Sequence, residues 1–137
     1  MSLVRFYACA GDPLRVALKL ALKAREQGEA LQVCAAPEQL ARLSEWLWAQ
    51  PGFVAHAGPS ARPEVVARSA LRLHPEPRDD ARLVVNLRAD LDLSAHPAAR
   101  VFELVGPDEA ERAAGRQRFR RHQEARGARP EHVQVAA

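Results

Sequence analysis

Between Arg112 and Arg129 the chain carries seven arginines and a single acid, Glu124, a local charge of +6 in a chain whose total is +3. The stretch follows Gly106-Pro107-Asp108, a turn ending in an N-cap acid, and predicts a helix over about residues 108–126. At about 100° per residue, with Arg112 at 0°, Arg116 falls at about 40°, Arg120 at about 80° and Phe119 at about 340°. Three guanidinium groups and an aromatic ring therefore share one face, while Arg118 and Arg121 point elsewhere. The planar fork of Arg matches carboxylate or phosphate oxygens two at a time. Phe119 adds an apolar wall for a ligand that ends in a hydrophobic side chain. Such a face can take an acidic peptide or a phosphate backbone. The plainer alternative is a solvated basic helix with Phe119 plugged into the core. One aromatic is too few for a single-strand stacking platform.

A second surface is suggested by Trp46, Leu47, Trp48 and Phe53, which hold three of the chain's seven aromatics. Two residues on a helix are about 200° apart, so Trp46 and Trp48 cannot both face one core. At least one meets solvent or a partner, and Trp is an interface-anchor type.

Other chemistries lack their residues. The turn Ala8-Cys9-Ala10-Gly11-Asp12 offers one glycine where a dinucleotide fingerprint needs three, and Asp12 would repel a phosphate. His56, His74, His96, His122 and His132 are scattered without metal-ligand spacing. Cys9 and Cys34 end neighbouring predicted strands and could lie close together; buried inert thiols are the favoured reading. The acid pairs Asp79-Asp80 and Asp90/Asp92 lie in polar loops, where solvation accounts for them. No cofactor, metal or catalysis is expected.

The elements that must position the arginine face follow from the pattern along 137 residues, a length that fits one domain. Leu3–Cys9 reads as a strand, the stretch from Pro13 to Gly28 as an Asp12-capped helix, and Leu31–Cys34 as a strand expected to pair in parallel with the first. A helix is expected over 37–49, an extended segment at 53–56, a loop at 57–64 and a short strand at 64–67. Strands at 82–87 and 100–105 precede the basic helix, and 132–135 is expected as a terminal strand or part of a frayed tail over 127–137. The sum is a small α/β fold with a mostly parallel sheet and helices on both faces. No apolar run approaches the ~20 residues of a membrane span, and Met1–Arg5 is not a secretory leader, so a reduced cytoplasmic setting is expected. The 18 arginines against two lysines, with abundant Ala and no Thr, fit codon bias better than chemistry.

Taken in order, several pieces resemble one family over almost the full length. They are Phe6-Tyr7 in the first strand, the Asp12-capped helix, Cys34-Ala35, and Leu47-Trp48 followed by Phe53-Val54-x-His56. Asn86-Leu87, Val101-Phe102-Glu103-Leu104-Val105 and the signature Arg116-x-Arg118-Phe119-Arg120 complete the series. The chain is similar to the chi subunit of bacterial DNA polymerase III. That resemblance implies a noncatalytic accessory protein of the clamp-loader assembly with a Rossmann-like α/β fold. It implies that Arg112, Arg116 and Arg120 hold the acidic tail of single-stranded DNA-binding protein, with Phe119 beside the tail's terminal ring. It also implies a psi-subunit contact at Trp48 and Phe53. Direct DNA binding through the arginine-rich helix is the alternative. The family aromatic three residues after the signature's Phe119 is His122 here, and the helix-ending Gly127 comes about one residue late.

Overall fold

Period-two alternation sorts the strand residues between two layers. In the computed structural model, which describes residues 3–52 and 54–136, β1 (Leu3–Cys9) sends Val4 and Phe6 to one face and Tyr7 and Cys9 to the other. Helices α1 (Pro13–Glu26) and α2 (Pro37–Trp48) cover the Tyr7 face. There Leu14, Ala17, Leu40, Leu43 and Leu47 pack on β2 (Leu31–Cys34), β4 (Leu83–Asn86) and β5 (Arg100–Val105). Helix α4 (Glu109–Arg126) lies on the opposite face and brings Phe119 against Phe6, in the layer that also holds Val84 and Val101. The remaining elements are α3 (Pro63–Arg68), β3 (Leu71–Leu73) and β6 (Glu131–Val135).

The six strands run parallel in the order β3-β2-β4-β5-β1-β6. This is the expected α/β architecture with helices on both faces, but the sequence neighbours β1 and β2 are not partners. Strands β4 and β5 stand between them, so the first crossover skips two positions. Cys9 and Cys34 consequently sit about 14 Å apart across the sheet, at about 4.8 Å per strand, and belong to opposite core layers. The expectation that they could approach each other fails for that reason.

Burial pushes the Cys9 thiol up to about 11 and the Cys34 thiol up to about 12. Both stay protonated at neutral pH. A thiol pKa raised by folding contributes stability that is complete below the unfolded thiol's pKa and is lost as pH climbs through the folded value. Native protein at pH 8 is therefore expected to give no reaction with a thiol-titrating disulfide reagent and two thiols per chain in guanidinium. The urea midpoint should fall as pH rises from about 9 toward the folded values.

Two further segments differ from expectation. Residues 64–67 form part of α3 rather than a strand, because Pro63 opens a helical turn and Glu64 sits favourably in it. The strand of that region comes later, at Leu71–Leu73, where Leu71 and Leu73 drop into the core. At the other end, 131–135 is a strand: β6 pairs in register with Arg5–Cys9 of β1. Gly127, in the left-handed conformation at φ 66°, ends α4 and turns the chain toward that pairing.

Candidate functional site

Register places a lateral row of side chains under α4. Cys34 pairs with Asn86, Asn86 with Glu103, Glu103 with Phe6, and Phe6 with His132. Most helices dock through an apolar stripe. The buried residues of α4 are Gly115, Arg118 and His122. Glu103 receives the last two: Arg118 Nε donates to Oε1 at 3.1 Å and His122 Nε2 donates to Oε2 at 2.9 Å. Asn86 Nδ2 also donates to Oε1, at 2.8 Å. Arg126 Nε donates to His122 Nδ1 at 3.3 Å, which leaves Nε2 as the protonated ring nitrogen. The end of α4 is further tied by Arg126 Nη2 to the carbonyls of Leu93 and His96. His122 thus keeps a ring against Phe6, centroids 5.8 Å apart, and adds a polar anchor.

With its register fixed from below, α4 presents the predicted face to a groove of about 710 Å³. Arg112, Arg116, Phe119 and Arg120 all line it. The floor is Phe6, Ala8 and Ala10 of β1 and its end, with Val105 and Gly106 closing β5. Its far wall is His132 and Gln134 of β6, which sequence reasoning missed; their alternation with Val133 and Val135, which pack on the other layer, is the signal that could have found them. The groove opens at the carboxyl ends of β1 and β5, whose connections leave by opposite faces of the sheet through α1 and α4. Such a point is where open parallel sheets hold ligands. Among the described residues its lining contains no Asp or Glu.

The individual side chains are not equivalent. Phe119 is half-buried, its ring centroid 5.2 Å from that of Phe6, so it is both a core contact and a groove wall. Arg116 Nη2 lies 2.9 Å from Glu109 Oε1 in an exposed pair, which costs little to exchange for another carboxylate. Beyond Gly106, whose missing Cβ leaves room for the Glu111 carboxylate, a smaller cleft holds Asp12, Gln39, Glu111 and Arg118. The hydrogen bond with Asp108, helped by burial, holds the Glu111 carboxyl above its ordinary range. That cleft disfavours an anion, in keeping with the repulsion expected from Asp12.

On the opposite layer the two tryptophans diverge as the helical angle requires. Trp46 is half-buried between the guanidinium groups of Arg15 and Arg42, at 5.2 and 5.1 Å from its ring. Trp48 is 53% exposed and its ring packs on His56 at 4.7 Å. His56 is itself held by Ser44 Oγ at 2.7 Å and the Val54 carbonyl at 2.8 Å, and none of these residues borders the groove. Phe53, the other residue expected at this surface, lies outside the described residues. The acid pairs meet arginines: Asp80 faces Arg72 and Arg78, and Asp90 faces Arg88, which hold both carboxyls below their ordinary range. Among the described residues no group of three or more His, Cys, Asp or Glu is arranged to hold a metal ion. No helix among them is long and apolar enough to cross a membrane.

Residues 1–130 match a family model described as DNA polymerase III chi subunit, HolC. No curated protein matches the chain as a relative. Among solved structures, the chain is similar to the C-terminal domain of S. cerevisiae Dbp5, a point variant in complex with a Gle1 variant and IP6. The TM-score is 0.59 at 11% identity, over 97% of this chain and 90% of that one. At that identity the likeness concerns the fold alone.

Proposed function

The chain belongs to the DNA polymerase III chi subunit family, and we propose that it serves the replicase as a noncatalytic adaptor that docks the acidic, Phe-terminated tail of single-stranded DNA-binding protein. The observation that carries this reading is the lining of the groove beside α4: three arginines and paired Phe rings, with Glu109 in an exposed, readily exchanged pair with Arg116. Guanidinium groups along two turns of helix meet successive acids of an extended peptide, while the apolar floor takes its aromatic end. A duplex backbone would favour a broad cationic surface. Here Arg118 is consumed by Glu103, Arg126 is tied to backbone carbonyls and Arg121 stands 3.9 Å from Asp92, which favours the narrower peptide reading.

A second contact, to the psi subunit of the clamp loader, is assigned to the surface around Trp48 and Phe53. The exposure of Trp48, on the layer opposite the groove, supports it: two partners could then be held at once.

Fluorescence anisotropy with a labelled acidic peptide ending in Phe tests the groove. Arg116→Glu is expected to weaken binding by at least about tenfold, since it replaces an attraction by a repulsion at an exposed site, and added salt should weaken the wild-type complex. Equal affinity of wild type and Arg116→Glu would sink the assignment. Tight, steeply salt-dependent binding of oligonucleotides with no binding of the peptide would replace it by direct DNA contact.

A further inference from the structure

Arg129 lies outside α4, in the turn between Gly127 and β6, and its guanidinium carbon stands 5.9 Å from the centre of the Phe119 ring. We propose, resting on the acidic-tail reading above, that Arg129 extends the row of arginines beyond Phe119 and reads acids of the bound peptide farther from its aromatic end than Arg112, Arg116 and Arg120 can reach.

Four observations converge on it. The two ends of the groove differ: at one, Phe6 and Phe119 fill the space with their own rings, whereas the other is floored by Ala8, Ala10, Gly106 and Gly115. A ligand's ring fits over the small-residue floor beside Phe119, so the peptide upstream of it runs past Phe119 toward Arg129. The reach of the helix is limited, because Arg112 to Arg120 spans about 12 Å, the length of about four extended residues. Among the described residues Arg129 has no ion pair, and its contact with the Phe119 ring leaves the guanidinium donors for a carboxylate. The neighbouring acid does not compete: Glu131 pairs with Arg5 at 3.1 Å, and alternation along β6 sends Glu131 to the layer away from the groove, opposite to His132. Arg129 is thus a positively charged group stacked on Phe119, a wall of the groove, without being part of the groove's own lining.

The test uses the full chain and two labelled peptides, both ending in Phe: one preceded by six aspartates, the other by four serines and then two aspartates next to Phe. Arg129→Ala, an exposed turn substitution, is expected to weaken the six-aspartate peptide by about three- to tenfold and the two-aspartate peptide by less than about twofold. Arg129→Lys should recover part of the loss. Equal loss on both peptides would mean that Arg129 acts only through the orientation of Phe119, and no loss on either would mean that it reads nothing; each result overturns the proposal. In both cases an intact effect of Arg116→Glu leaves the groove assignment standing. Wild-type protein that binds neither peptide would remove the two readings together.

Discussion

Replacing Glu103 by Leu is expected to lower the free energy of unfolding by about 3–5 kcal/mol, the range for breaking a buried ion pair from one side. Glu103 is fully buried, and Arg118 and His122 are within a few per cent of being so. Loss of the carboxylate removes the acceptor of three hydrogen bonds at once and leaves the Arg118 guanidinium with the Ala89 carbonyl at 3.3 Å. A domain of this size has about 5–15 kcal/mol in total, so the urea midpoint should drop by about a fifth or more. The companion variant Glu103→Leu/Arg118→Met/His122→Phe removes the charges together and should recover most of the loss, because the cost comes from the unpaired charge rather than from the pair's own worth. A single variant within about 1 kcal/mol of wild type would show that the cluster is not desolvated.

That cluster also marks where sequence reading stops. The angles of Arg112, Arg116, Phe119 and Arg120 needed only the helical period, and the structure puts all four on one groove. The same period said that Arg118 points away, but not that it points into the sheet, since its partner Glu103 is fifteen positions upstream on another element. A signal was present: an acid inside Val101-Phe102-Glu103-Leu104-Val105 shares a strand face with two valines, and a buried acid needs a cation. The strand order was not legible at all. Alternation assigns residues to faces, and whether β4 and β5 come between β1 and β2 depends on packing between segments distant in sequence. At 63–68 the helix-start signal of Pro63 and Glu64 outweighed the β-propensity of Val65 and Val66. The charge of the basic stretch was legible as a sum, but not its distribution: part is spent on Glu103, Asp92 and Glu109, and what faces the groove is a short row.

Gly115→Leu should both destabilise the protein, by about 3 kcal/mol, and abolish binding of the acidic peptide. An ideal Cβ at Gly115 would lie 2.8 Å from Val105 Cγ2 and 3.0 Å from Cγ1, so α4 rests on β5 at a distance only glycine permits. Helix propensity argues the other way, since Ala gains about 1 kcal/mol over Gly in a helix interior. The contact decides the sign. Val105 is β-branched and stiff at χ1, and with both methyls against the helix a rotamer change exchanges one clash for another. For Gly115→Ala the overpacking cost of about 1–3 kcal/mol therefore exceeds the propensity gain and leaves a net loss of about 1 kcal/mol. Leu adds volume that no rotation of Val105 accommodates. Binding suffers separately from stability, because Gly115 and Val105 both border the groove and lifting α4 carries Arg112 and Arg116 away from its floor. Adding Val105→Ala to Gly115→Ala should restore the urea midpoint to wild type or above, by relieving the contact while keeping the propensity gain. If Gly115→Ala alone were the more stable protein, the glycine would not be what sets the spacing of α4, and the depth of the groove would need another cause.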